Sequence, residues 1–360
     1  MVKYSRLSGL VLLLGSILTF ESCINNSRYT LEYVKPETEG FSSEKLESLK
    51  THLKMSGASS LILVADGKKI FEWGKTRKKH TVHSIRKALL NSLYGIAVTE
   101  GVIDTTMTLR ELGINDIWPD LSENELNACI ADLLKSRSGV YHHAAGVSDA
   151  MLKNMPERDT YKPGEHFYYN NWDFNVLGAI LEQKTGKSIY ELFRDEIAIP
   201  LGMNDYKGSF CSIDGESDDE KIPDTDGFYQ FEKSKSKYPA YHFRLSARDM
   251  ALYGQLYLNK GNWNGKQIIP AKWIEVSTKP YSVYNSAHGI AYGMLWYISM
   301  PMENRDNKSF YHTGLGIHML GIYPDSRLVL VHRVNTETDF KFKSEDLNKA
   351  IDLVFNSIIN

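Results

Sequence analysis

A serine and a lysine three residues apart, Ser84 and Lys87, open an apolar run that continues through Ala88, Leu89, Leu90, Leu93, Ile96 and Ala97 to a stop at Gly101. On a helix, three residues turn through about 300°, so the hydroxyl and the amine share one face about one turn apart. A serine hydroxyl is a weak nucleophile until a base accepts its proton, and a lysine in apolar or cationic surroundings becomes neutral enough to accept it. The free N–H groups and positive dipole end of a helix start also favour negative charge developing beside the serine. The spacing alone is not specific. Ser42 with Lys45 and Ser234 with Lys237 repeat it, at an exposed helix start and in a polar loop. Ser84 differs in opening an apolar helix directly behind a hairpin and its basic loop, Lys75 to His80.

Two further segments carry suitable chemistry. In Pro163-Gly164-Glu165-His166-Phe167-Tyr168-Tyr169-Asn170-Asn171, a tyrosine held near the pair can shuttle a proton between nucleophile and leaving group, and an asparagine amide can bind a carbonyl. In His312-Thr313-Gly314-Leu315, at the start of a late strand, the glycine permits close backbone approach and the strand edge offers an N–H to an oxyanion. Metal chemistry finds little support. His142 and His143 are adjacent, so their side chains diverge, and no HExxH occurs, so neither a metal nor another cofactor is expected.

Together the three segments resemble the serine beta-lactamase and penicillin-binding-protein superfamily, in its class C beta-lactamase and esterase branch. That branch reads Ser-x-x-Lys, then Tyr-x-Asn between Pro-Gly and Leu-Gly, then Lys- or His-x-Gly on a strand. Aligning on Pro163, Gly164, Phe167, Leu177 and Gly178 selects Tyr169 and Asn171 over the overlapping Tyr168-Tyr169-Asn170. Leu133 to Gly139 and Pro200-Leu201-Gly202-Met203 are similar to two more family segments, and Phe243 to Met250 with Trp263 to Ile269 look like the 6-aminohexanoate-dimer hydrolase subset. Lys184-Thr185-Gly186 copies the third motif literally but sits at a helix end, as a cap.

The resemblance implies an α+β fold of the beta-lactamase/transpeptidase type, an antiparallel sheet flanked by helices with an inserted mainly helical domain. It implies a serine hydrolase in which Ser84 attacks a carbonyl and Lys87 and Tyr169 share base and acid duty. The N–H groups of Ser84 and Leu315 would hold the oxyanion, Asn171 would orient the substrate, and Gly314 and His312 would line the site. His312 stands where classical lactamases use a lysine to bind a carboxylate, and an imidazole is mostly neutral at pH 7. An ester or amide is therefore expected as substrate, with weak or no beta-lactamase activity. A cell-wall D-alanyl-D-alanine carboxypeptidase, or a catalytically silent lipoprotein that binds peptidoglycan or a partner, are the alternatives. Arg86, about 100° from Ser84 on the helix, either packs elsewhere or steers an acidic substrate.

With 42 Lys+Arg against 44 Asp+Glu the chain carries a formal charge of −2, which with no long basic run argues against nucleic-acid binding. At its start, Lys3 and Arg6 precede an uncharged stretch from Leu7 to Phe20, too short to cross a bilayer but right for a signal-peptide core. Ser22-Cys23 then resembles a lipoprotein processing site, although Glu21 departs from the usual apolar pattern. The expectation is a signal peptide at 1–22, a lipid on Cys23 and a tether at 23–40, holding the protein to a membrane of the bacterial envelope. Cys129 and Cys211 support at most one disulfide.

Apolar periodicity predicts a helix over Ser42–Met55, a hairpin of Ser60–Ala65 with Lys68–Trp73 around Asp66-Gly67, a helix over Val176–Lys184, a second hairpin across Pro324-Asp325-Ser326 and a helix over Glu345–Ile359. Residues 41–104 and 256–360 are expected to form the sheet domain. Residues 105–255 are expected to be mainly helical with little strand character, and 217–237 to form a solvated excursion.

Overall fold

The computed structural model describes residues 31–117, 119–217, 221–303 and 308–359. The expected signal peptide, Cys23 and the acidic stretch 218–220 lie outside these residues.

The run Ser60–Ala65 is apolar at nearly every position, and a strand sends alternate side chains to opposite faces. It can be satisfied only if both faces are covered. Leu61, Leu63 and Ala65 pack with Leu328 and Leu330 against Leu46, Leu49 and Leu53 of helix Ser43–Ser56 and Leu347, Ala350 and Val354 of helix Ser344–Asn356. Ile62 and Val64 join Val329 and Val331 in the larger core, which includes Met250, Ala251 and Tyr253 of helix Ala247–Leu258. The strand belongs to an eight-stranded sheet, antiparallel at every pairing. Its order is Lys68–Gly74, Ser60–Ala65, Leu328–Arg333, His318–Tyr323, Ser309–Gly314, Tyr297–Ser299, Ile290–Tyr292, Ser282–Asn285. This is the expected α+β arrangement. Both predicted hairpins form, the first turning on Asp66 and Gly67 with φ of 48° and 79°, both left-handed as a two-residue hairpin turn requires.

The larger core surrounds helix Arg86–Thr99, whose residues from Arg86 to Ala97 are buried on every side. The α-helix begins two residues later than the apolar spacing suggested, because Ser84 lies in a 3-10 turn, His83–Ile85, that feeds into it. Helix Asn171–Thr185 packs alongside and ends on Gly186, whose φ is 70° and whose N–H reaches the Glu182 carbonyl at 2.8 Å. The literal Lys-Thr-Gly is thus a C-cap, as read.

Strand content in the middle of the chain exceeds expectation. Phe210–Asp214, Gly227–Phe231 and Ala240–Leu245 form a second sheet with His80–Thr81, in which the first two strands run parallel. Nor is 217–237 a solvated excursion throughout, since Asp226 and Ser236 are each 1% exposed. Their burial is offset by hydrogen bonds to residues elsewhere in the chain. Asp226 accepts from the Lys207 and Ser209 amides at 2.9 and 3.0 Å and pairs with Lys79, while the Ser236 hydroxyl donates to buried Asp116 at 2.6 Å. A polar stretch satisfied by partners distant in sequence looks solvent-exposed in composition alone. At the start, Glu32 to Val34 pair in register with Lys69, through the Val34 amide at 3.0 Å and the Lys69 amide at 2.7 Å, so the sheet edge begins before Phe41.

Close approach between helix Ala247–Leu258 and the sheet depends on Gly254, where an added Cβ would lie 2.4 Å from Val329 Cγ1 and 3.1 Å from Leu320 Cδ1. Gly254→Val should therefore destabilise the protein by about 1–3 kcal/mol through overpacking. A urea midpoint equal to or above that of the wild type would contradict this account of the helix-sheet contact.

Candidate active site

Ser84 is placed by the turn that ends strand His80–Thr81 and starts the central helix. Three residues on, the Lys87 amine is 1% exposed and donates to the Ser84 hydroxyl at 2.9 Å. It sits between aromatic faces, 4.6 Å from the Phe174 ring centroid and 4.9 Å from that of Tyr169. No carboxylate pairs with it among the described residues. Burial lowers its pKa well below the ordinary lysine range, and the neighbouring Arg86 guanidinium lowers it further. A neutral amine beside a hydroxyl is the arrangement needed to receive its proton.

The sequence left Arg86 open. Its guanidinium is buried, stacked 4.2 Å above the Tyr241 ring, and donates to Asn175 Oδ1 at 3.1 Å. It ties the central helix to helix Asn171–Thr185 and acts on Lys87 through its charge.

Tyr169 precedes that second helix, and its phenol interacts with Ser84 and with Tyr297. Burial raises its pKa above the usual phenol value, while the bond to Ser84 and the Arg86 charge pull the other way. Its ring is fixed by Phe174, Tyr292 and Tyr297 at 5.0, 5.8 and 6.0 Å. The two asparagines at the start of this helix make different contacts. Asn170 caps the helix, accepting from the Trp172 amide at 3.1 Å and donating to the Val140 carbonyl at 2.7 Å. Asn171 donates to the Gly146 carbonyl at 2.5 Å and leaves its buried Oδ1 unpartnered. Asn175, one turn on, donates to the Ala145 carbonyl at 3.1 Å, so both amides hold the same turn from one helix face.

His312 and Gly314 lie at the end of strand Ser309–Gly314 rather than at a strand start, because the strand begins three residues before His312. His312 Nδ1 is 2.9 Å from the Thr313 carbonyl, and its buried Nε2 has no partner. Burial lowers its pKa to about 3. The ring is therefore neutral at neutral pH, as expected from its type and more firmly so. At Gly314 an added Cβ would lie 2.4 Å from the Val82 carbonyl, two residues before Ser84, so this glycine is what lets the strand reach the serine turn. Leu315 follows with φ of 51° and is 58% exposed.

The structure thus brings Ser84, Lys87 and Tyr169 together, with Gly314 against the serine turn and Lys87 within electrostatic range of His312. Tyr297, Tyr292 and Phe174, which shape the surroundings of Tyr169 and Lys87, carried no signal beyond aromatic composition. Cys129 and Cys211 are both free thiols, and Cys129 donates to Asp132.

These features place the chain among beta-lactamase-like folds. The Beta-lactamase family model matches residues 45–353, and the chain belongs to that family. The fold is shared with a Bacillus anthracis protein described as a 6-aminohexanoate-dimer hydrolase, with a TM-score of 0.64 and 21% identity over 92% of this chain and 87% of that one. It is shared also with a family VIII carboxylesterase, with a TM-score of 0.61 and 15% identity over 87% of this chain and 97% of that one. An Escherichia coli (strain K12) protein named as a D-alanyl-D-alanine carboxypeptidase is 22% identical over 231 residues, covering 52% of this chain and 53% of that relative. The chain spans about half the length of that curated relative.

Burial lowers the pKa of six histidines, to about 4 for His80, His83 and His332, to about 3 for His312, and well below the usual value for His242 and His318. Below pH 6.5 the unfolded chain binds protons at these sites that the native protein refuses, so their contribution to stability, complete above pH 6.5, is lost as pH falls toward 4. Asp173, Glu182 and Asp249 have raised values, Asp249 about 6, and act in the opposite direction, but they are outnumbered. The urea midpoint should fall between pH 7.5 and pH 5. A midpoint that holds or rises would show that the histidines do not govern this range.

Proposed function

We propose that the protein is an exported serine hydrolase that cleaves an ester or amide of a small molecule or peptide through an acyl-serine intermediate. The observation that carries this reading is the Lys87 amine, buried without a counter-charge and 2.9 Å from the Ser84 hydroxyl. In the reaction, the Ser84 proton passes to Lys87 or Tyr169 as Oγ bonds to the substrate carbonyl carbon. The resulting oxyanion is held by the N–H groups of Ser84 and Leu315, donors typically worth about 3–4 kcal/mol each in a transition state. Collapse breaks the bond to the leaving group, which takes the proton back from the Lys87–Tyr169 pair, and water then hydrolyses the acyl-serine by the same groups in reverse order. Asn171, with Oδ1 free of intramolecular partners, orients the acyl portion.

The neutral His312 favours an uncharged group on the substrate over the carboxylate of a beta-lactam, so beta-lactamase turnover is weak. The carboxypeptidase name of the Escherichia coli relative favours a cell-wall peptide as the second reading. Export rests on Lys3, Arg6 and the apolar run Leu7–Phe20, and attachment to an envelope membrane rests on a lipid at Cys23 after Ser22.

A fluorophosphonate probe should label the wild type at Ser84. Ser84→Ala should lose the label and lower turnover of an ester and peptide panel by at least about 10⁴-fold. Labelling that survives in Ser84→Ala would overturn the assignment, and nitrocefin hydrolysis faster than that of the esters would overturn the substrate preference. The acid limb of the kcat/KM profile should lie below the ordinary lysine range and report Lys87. Because the Arg86 charge helps to lower that value, Arg86→Gln should move the limb to higher pH, and an unmoved limb would remove Lys87 as the base.

A further inference from the structure

The residue before the proposed nucleophile, His83, has φ of 49°, in the left-handed region that a non-glycine residue avoids unless its surroundings hold it there. Each residue from His80 to His83 is fastened from outside its own segment. Arg333, at the end of the last strand, donates through one guanidinium nitrogen to the His80 and Thr81 carbonyls at 2.6 and 3.0 Å. Glu337 accepts from the Thr81 amide at 2.9 Å and the Thr81 hydroxyl at 3.0 Å. The Val82 amide donates to the Phe243 carbonyl at 2.8 Å. Thr336 Oγ1 lies 2.8 Å from His83 Nε2, and on its other side 3.4 Å from His318 Nε2.

The Glu337 carboxylate is itself held in a fork by Arg244, whose Nε and second guanidinium nitrogen donate to its two oxygens at 2.9 and 2.8 Å. Arg244 is anchored in turn on the Thr225 carbonyl at 2.9 Å and on Asp224 at 3.2 Å. Burial alone would raise the Glu337 pKa, but Arg244 and the Thr81 amide lower it to about 2, so the fork stays charged through the neutral range. The fork joins three parts of the chain that are far apart in sequence: strand Ala240–Leu245, strand His80–Thr81 and the segment after strand Leu328–Arg333.

We infer that Arg333 to Glu337 form a clamp that sets the position of the nucleophile turn, with Glu337 as a positioning residue and Arg244 as its anchor. The inference rests on Ser84 being the nucleophile. Glu337 touches no reacting atom. It acts through Thr81, whose displacement moves His83 and then Ser84 away from Lys87. Displacements on the order of 1 Å in reacting geometry cost roughly 100-fold in rate, while the substrate surface formed by the other elements stays in place. The signature is therefore a loss of kcat with little change in KM.

Glu337→Gln keeps the shape but removes the charge from the fork. It should lower kcat and the rate of fluorophosphonate labelling by about 10- to 100-fold with KM within about threefold, at temperatures where circular dichroism shows the variant folded. Thr336→Val removes the hydroxyl's contacts to His83 and His318 while leaving the Glu337 fork in place, and serves if Glu337→Gln does not fold. It should give a smaller loss of the same kind. Glu337→Asp retains the charge and should recover part of the labelling rate. Wild-type labelling rates in folded Glu337→Gln or Thr336→Val, or a loss confined to KM, would overturn the clamp and leave Ser84 as nucleophile untouched. Absence of label at Ser84 in the wild type would instead count against the nucleophile, and against the clamp's purpose with it.

Discussion

A lysine amine taken out of water with no carboxylate to receive it is costly as a cation, and the cost falls away only when the amine gives up its proton. The site depends on that constraint. Lys87 is surrounded by Phe174 and Tyr169 on the aromatic side, by the Arg86 cation and by the Ser84 hydroxyl, to which its amine donates. A carboxylate within reach would restore the charge and remove the neutral amine that the proposed base requires. Arg86 is kept from being an alternative partner by its stacking on Tyr241 and its bond to Asn175. The amine at the centre of the larger core is thus tolerated because burial and the Arg86 charge both favour its neutral form.

Such a centre needs a rigid frame, which the two-faced sheet supplies. Strand Ser60–Ala65 shares its alternate residues between two cores, so its position is fixed from both sides, and strand Leu328–Arg333 beside it is buried throughout. A one-residue slip would exchange the residues of one core for those of the other. That register sets where Arg333 ends, and Arg333 reaches the backbone just before Ser84. Packing in the sheet is in this way connected to the chemistry by a few hydrogen bonds rather than by distance alone.

The parts legible in the sequence are those in which type and spacing act locally. Ser84 with Lys87, the hairpin at Asp66-Gly67, the cap at Gly186 and the amphipathic helix after Lys343 each depend on residues within a turn or two. The adjacent asparagines differ in their contacts, Asn170 capping the helix and Asn171 holding the Gly146 carbonyl, and nothing in local type or spacing marks that difference. What could not be read depends on distant partners. Asp226 and Ser236 look like surface residues until Ser209, Lys79 and Asp116 are brought to them. Arg86 has two plausible directions until Tyr241 and Asn175 arrive from elsewhere in the chain. Glu337, in a polar run after the last strand, has no local pattern at all.

Backbone strain on either side of the site follows the same logic. His83 and Leu315, with φ of 49° and 51°, flank the point where Gly314 meets the Val82 carbonyl, and each such residue costs about 1–3 kcal/mol unless its surroundings compensate. Glycine would relieve both positions, but it would give up what their side chains do. At 83 the imidazole bonds to Thr336, which couples the strained residue to the last strand's extension. At 315 the side chain is 58% exposed and packs little, so relief would cost few contacts. What the left-handed conformation achieves there is to turn the backbone at the end of the strand that Gly314 brings against the serine turn. Strain at 83 is therefore held by side-chain bonds and strain at 315 by the turn itself, and the two meet at one close contact that only glycine permits.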